Sequence, residues 1–161
     1  MARIVTVGVY GFDLRGFLAA LGAADVGHLI DVRQRRGVRG REYAWANSKR
    51  LQQALDEAAI GYEHRPDLAP TTELRELQYR EDERLGVGQR SRVELAPEVR
   101  RRYLVEILDR ADLAALVEAV PASGATALLC VERRPAGCHR SLIAARLERE
   151  HGIPVDHLTP R

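Results

Sequence analysis

The chain has 161 residues, 45% of them hydrophobic and 30% charged, with a formal net charge of +2. That length suits one domain with a substantial buried core, and the composition excludes a disordered chain. No apolar run approaches the ~20 residues of a membrane helix and the N-terminus lacks a signal-peptide pattern, so no membrane contact and a cytoplasmic location are expected. Two cysteines, Cys130 and Cys138, are too few for a disulfide framework. Lys49 is the sole lysine; such an arginine bias can reflect genome composition, so local clustering says more about partners than overall charge.

Taken in chain order, Arg3 to Gly8 is a short β-branched strand ending in glycine, and Phe12 to Ala24 is a helix packed on it through Phe17, Leu18 and Leu21. His28 to Val32 is a second strand, ending in Asp31-Val32-Arg33, and an Arg- and Gly-rich loop runs on to Arg41. Asn47 or Ser48 caps a helix whose apolar positions are Leu51, Ala54, Leu55, Ala58 and Ala59. Ile60 to His64 is a third strand, followed by a loop from Pro66 to Pro70. Thr71 or Thr72 then caps a charged, mostly solvated helix to about Leu85, and Gly86 to Ala96 is irregular. Pro97 starts a helix through Leu108. A further helix spans Asp112 to Val120, and Ala125 to Val131 is the central apolar strand. An amphipathic helix from Arg140 to His151 and a strand from Ile153 to His157 close the chain. Strands alternating with helices predict an α/β domain over residues 1–161: an open, mostly parallel sheet of about five short strands flanked by helices.

The segment from Ala125 to Leu147 is the most informative. A buried strand, a polar turn and a helix start place Glu132, Cys138, His139 and Arg140 around one strand end, where a parallel sheet gathers ligand groups and a helix N-terminus attracts anions. Glu132 is poorly solvated there, and Arg133, Arg134 or Arg140 is near enough in sequence to neutralise it. Cys138, close to the helix start, is favoured as thiolate, with His139 beside it; neighbours on a helix diverge, which argues against a direct dyad. An unreactive, packed Cys138 is the alternative. Asp31 and Arg33, at the end of the second strand, either serve the same crevice or pair with one another as a buried structural unit.

The stretch from Arg33 to Arg41 holds five arginines in nine positions, with Tyr43 and Trp45 following. Arginines supply phosphate contacts and aromatic faces stack bases, although a solvated loop with Trp45 anchored in the core has the same composition. Neither a phosphate-cradling Gly-x-x-x-x-Gly-Lys loop nor a Gly-x-Gly-x-x-Gly fingerprint occurs, and no Gly-x-Ser-x-Gly elbow is present. No cofactor is expected. No metal is expected either, because no matched pair at zinc spacing accompanies Cys138 and His139.

Thr6-Val7-Gly8, Asp31-Val32-Arg33, Gly61-Tyr62-Glu63-His64, Leu129-Cys130-Val131-Glu132 and Cys138-His139-Arg140 together resemble the domain of unknown function 488 family, in order and spacing, over about Ile4 to Leu158. Arg36 and Val38 stand where that family more commonly has Pro and Ser, Arg39 is kept, and Leu68-Ala69-Pro70 replaces a commoner Leu-Gly-Gly turn. The resemblance implies an α/β fold with these motifs meeting at one site, and, loosely, the removal of modified bases from DNA. On that expectation Asp31 and Glu132 are the catalytic carboxylates. Gly8, Tyr10, Arg33, Arg39, Tyr43, Asn47, His139 and Arg140 bind a nucleic acid or other anionic ligand. A thiol enzyme using Cys138 and a non-catalytic binding module are the alternatives, and the oligomeric state is left open.

Overall fold

The computed structural model describes residues 2–161. Its sheet has five parallel strands, β1 (Arg3–Val7), β2 (Val26–Asp31), β3 (Gly61–His64), β4 (Ala125–Leu129) and β5 (Val155–Leu158), in the order β3-β2-β4-β1-β5. The α/β expectation of an open parallel sheet flanked by helices is met. The helices are α1 (Leu14–Ala23), α2 (Ser48–Glu57), α3 (Thr72–Leu85), α4 (Pro97–Glu106), α5 (Leu113–Ala119) and α6 (Arg140–His151). No helix among the described residues is long and apolar enough to cross a membrane.

Strand alternation divides the core in two. Val5, Val7, Leu29, Ala127 and Leu129 pack with Phe17, Leu21, Leu51 and Leu55 of α1 and α2. Ile4, Ile30, Leu128 and Cys130 pack on the other face with residues of α3 to α6, among them Leu74, Tyr103, Leu116, Ile143 and Leu147. Successive side chains of a strand leave opposite faces, so each central strand is apolar throughout. This is why Ala125–Leu129 reads as an unbroken hydrophobic run.

Local chemistry sets the ends. Asp13 accepts from Gly16 N at 2.7 Å to cap α1, Thr71 accepts from Leu74 N at 3.2 Å to cap α3, and Gly86 ends α3 in the left-handed conformation, φ 71°. Ladder pairing of β4 stops at Leu129, two residues before the expected end. Cys130 and Val131 continue as a connection, with Cys130 N donating to Val7 O at 3.1 Å and Val131 O accepting from both Val9 N and Tyr10 N at 3.0 Å. Helix α4 stops at Glu106 and gives way to a 3-10 turn over Leu108–Arg110. A second 3-10 turn, Arg41–Ala46, follows the arginine loop. The mostly solvated helix expected over Thr72–Leu85 is corrected: Leu74, Gln78 and Asp82, spaced by four, form a buried face.

A close backbone approach requires glycine at Gly8. A Cβ there would lie 2.0 Å from the carbonyl oxygen of Glu132 and 2.9 Å from its carbonyl carbon, both backbone. Gly8→Ala must therefore displace the turn after β4. We expect a loss of ~1–3 kcal/mol, the range for overpacking a tight interior, read as a lower urea midpoint at an unchanged slope. A loss within experimental error would show that the turn yields freely.

Candidate active site

Beyond β4 the chain carries two more residues of the α3–α6 side into a polar cluster. Cys130 follows Leu128 on that face, and Glu132 comes next in the same alternation. A 3-10 turn over Pro135–Gly137 then brings Cys138 back, and α6 starts at Arg140. Cys138 is extended, φ −138° and ψ 146°, not helical. The divergence expected of helix neighbours therefore does not apply, and Cys138 Sγ lies 3.8 Å from His139 Nδ1. Cys130 Sγ lies 3.7 Å from the same nitrogen. The other ring nitrogen, Nε2, sits 3.0 Å from Val32 O. A carbonyl only accepts, so Nε2 carries the proton and the Nδ1 lone pair faces both thiols in the neutral ring. Tyr103 flanks the imidazole at 5.4 Å between ring centroids.

Glu132, 7% exposed, is held from a direction the sequence did not indicate. Its Oε1 accepts from Arg92 Nη1 at 3.0 Å and Gln89 Nε2 at 3.2 Å, while Oε2 lies on the thiol side, 3.4 Å from Cys130 Sγ. Arg133 and Arg134 are exposed, and Arg140 donates instead to the backbone carbonyl of Glu132, at 2.7 Å. Arg92 is itself 4% exposed; its Nη2 donates to Asp82 Oδ2 at 2.6 Å and its Nε to both Asp82 oxygens at 3.1 Å. Gln78 completes the network, donating to Asp82 Oδ1 at 2.9 Å and accepting from Ala96 N at 2.8 Å.

These surroundings pull the ionisable groups apart. Burial pushes the Glu132 carboxyl above its ordinary range, a nearby Cys138 thiolate adds to the rise, and Arg92 opposes it. Burial likewise drives the Cys130 thiol well up. Burial would do the same to Cys138, but a hydrogen bond from Cys130 and the charges of His139 and Arg140 hold its thiol well below the usual value. Burial works against protonating His139, yet the Cys138 charge prevails and raises its pKa.

Cys130, Glu132, Cys138 and His139 form the inner end of a pocket of about 610 Å³, its open mouth included. Leu74, Leu95, Val99 and Tyr103 supply apolar wall, and Gln34, Arg35, Arg75 and Tyr79 line its outer part. Arg75 donates to Gln34 Oε1 at 2.7 Å and to Tyr79 Oη at 3.0 Å, which leaves a cation and an aromatic ring at the entrance.

Asp31 shares its face with Leu29, on the α1–α2 side, away from Cys130 and Glu132. It is 0% exposed, and its two oxygens accept from Arg33 Nε at 2.9 Å and Nη2 at 2.8 Å, with Tyr62 Oη donating to Oδ2 at 2.6 Å. Arg33 spends its remaining Nη1 on Ala46 O at 2.9 Å. Asp31 does not line the pocket, and neither does Arg140. Tyr10 and Tyr43 pack at 5.1 Å with Arg90 over both rings, and Tyr10 Oη reaches Gln89 Oε1 at 3.4 Å. Tyr43 Oη accepts from Gly11 N at 3.0 Å and Asn47 Oδ1 from Val38 N at 2.8 Å, so both shape loops. Arg39 is exposed and its carbonyl accepts from Arg90. Trp45 packs against Phe17 at 4.9 Å.

Cys130, Arg92, Gln89, Asp82 and Gln78 went unread as site residues. For Cys130 the available signal was alternation, which gives it the face of Leu128 and Glu132. For Gln78 and Asp82 it was the four-residue spacing from Leu74.

The sequence model of the family described as "Domain of unknown function DUF488" matches residues 13–147. No curated protein matches the chain, and no solved structure does.

The Asp31–Arg33 pair makes a prediction of its own. Asp31→Asn or Arg33→Met strands a buried charge and should cost ~3–5 kcal/mol in chemical denaturation, while the double substitution costs less than either single change. Full stability in both single variants would mean that the pair does not brace the end of β2.

Proposed function

The chain belongs to the DUF488 family, and from the pocket itself we propose an enzyme that acts on nucleic acid, with Glu132 as its acid–base carboxylate. One observation carries the reading: Glu132 ends the pocket with one oxygen fixed by Arg92 and Gln89 and the other on the thiol side. A carboxylate positioned in this way can activate water or stabilise a developing cation. The arginines and Tyr79 at the entrance supply phosphate contacts and a stacking face.

In its finer form the reaction is hydrolytic removal of a base. A nucleotide swung out of a strand enters the pocket, its phosphates against Arg35 and Arg75, its base in the apolar interior. Water adds its oxygen to the sugar C1′ as the C1′–N bond breaks; the departing base takes the electron pair and a proton, leaving an abasic sugar. Glu132 Oε2 is the group that accepts the water's proton or shields the oxocarbenium charge. Asp31 has no part in this step, because its oxygens are committed to Arg33 and Tyr62 on the other face of the sheet. Cys138, the thiol of the pair held well below its usual value, would have to act as a nucleophile at 1% exposure.

The test is a panel of single- and double-stranded oligonucleotides carrying modified bases, scored for abasic sites by alkaline cleavage. Release of at least one base is expected, and Glu132→Gln should slow it by ~10²–10⁴-fold, the usual contribution of a positioned acid–base group. Arg75→Ala should weaken binding and flatten its salt dependence by ~0.7–0.9 in the logarithmic slope, the loss of about one phosphate contact. Folded protein that releases no base from any member of the panel would defeat the base-removal reading.

A further inference from the structure

Two thiols converge on one imidazole nitrogen, an arrangement that base removal does not call for. Cys130 and Cys138 are both free, both buried, and belong to different elements, the end of a strand and the approach to a helix. Their sulfurs and a nitrogen of His139 all lie within 4.8 Å of one another. We propose that Cys130, Cys138 and His139 bind one thiophilic divalent cation, zinc foremost, with its fourth position open toward Glu132 and the pocket.

Geometry supplies the first argument. Tetrahedral zinc with Zn–S of ~2.3 Å and Zn–N of ~2.0–2.1 Å sets S···N edges of ~3.5–3.6 Å. The two observed S···N separations are 3.7 and 3.8 Å, within a few tenths of an ångström of those edges, and the two sulfurs lie within 4.8 Å of each other, close enough to share one ion. A pair of thiols packed only as small apolar side chains has no reason to aim both sulfurs at one nitrogen.

Orientation of the histidine supplies the second. A ligating imidazole characteristically donates its other N–H to a carbonyl or carboxylate, which fixes the ring and the tautomer. Val32 O, at 3.0 Å from Nε2, does this here, and leaves Nδ1 as the free donor of an electron pair. The ring is therefore preset for an ion on the side where both sulfurs lie.

Donor chemistry supplies the third. Two thiolates and one imidazole suit zinc, and three protein ligands with one open position distinguish its catalytic sites from its closed structural ones. Two thiolates balance the charge of the divalent cation. The carboxylate that could have closed the site is held back, since Glu132 Oε1 is engaged by Arg92 and Gln89 while Oε2 lies 3.4 Å from Cys130 Sγ. Glu132 is thus a neighbour of the ion rather than a ligand, placed to accept a proton from a water bound at the open position. When bound, zinc would make that water acidic enough to be a nucleophile near neutral pH.

The sequence pattern conceals such a site. Cys130 and Cys138-His139 lack the short paired spacing of zinc-binding knuckles, because the ligands are brought together by the crossover from β4 into α6. The inference stands whether or not the pocket acts on nucleic acid.

The test is a cobalt titration of full-length protein, stripped of metal by a chelator and kept under a non-thiol reductant. One cobalt ion per chain should bind, with the visible bands of a tetrahedral site and a sulfur-to-cobalt charge-transfer band, and one equivalent of zinc should abolish both. Cys130→Ser, Cys138→Ser and His139→Ala should each weaken binding by more than the ~10–100-fold typical of losing a mere supporting contact, with circular dichroism confirming the fold. Wild-type protein decides the matter even where a variant fails to fold. Absence of the charge-transfer band in reduced, folded wild type, or weak octahedral bands alone, would overturn the site. Glu132→Gln should keep the cobalt spectrum intact while slowing base release; in wild-type protein, an intact cobalt spectrum with no base release from any oligonucleotide overturns the proposed reaction and supports the metal.

Discussion

Opposite faces of a strand are reached by alternate residues, and at the ends of β2 and β4 this constraint decides which polar groups can meet. Parity assigns Cys130 and Glu132 to the side covered by α3 to α6, and Asp31 to the side covered by α1 and α2. Each carboxylate then finds its own guanidinium. Asp31 is sealed by Arg33 and Tyr62, while Glu132 faces a pocket and is steadied by Arg92. Two carboxylates that are both buried and both at strand ends therefore have unlike surroundings, one closed off by its partners and the other lining a pocket.

The turn after β4 shows how backbone packing makes that difference usable. Gly8 lets the Glu132 carbonyl pass where a side chain would stand, and Arg140 grips that carbonyl at 2.7 Å. The peptide of Glu132 is fixed on two sides, so its side chain projects from a rigid base. Gly8 and Arg140 both meet the backbone carbonyl of the residue whose side chain faces the pocket. Tyr43 and Asn47 have a comparable role in the loops, through backbone amides of Gly11 and Val38.

Much of this architecture is legible in the amino-acid order. The strands read at Arg3–Gly8, His28–Val32 and Ala125–Val131, separated by helical patterns, specify a parallel sheet and overlap β1, β2 and β4 with ends shifted by one or two residues, and Glu132 and Cys138-His139 lie together at one pocket. Long-range pairing is not legible. Arg92 lies 40 residues before Glu132 in a segment with no periodicity, and nothing local distinguishes it from the many arginines that remain in solvent. The choice for Asp31 between the crevice and a pair with Arg33 is open in the sequence for a different reason. Proximity to the end of a strand is visible in sequence, but the face it occupies depends on which neighbours are buried on each side. Cys130 was hidden by its own chemistry, since a small thiol in an apolar strand resembles any other core residue.

Arg92 joins α3 to the strand end through Asp82 on one hand and Glu132 on the other. Lifting the stretch that carries it would separate one guanidinium from two carboxylates in an apolar interior, at a cost of several kcal/mol for each ion. The stretch from Gln89 to Leu95 therefore joins the pocket lining as a wall anchored by charge at both ends of one guanidinium.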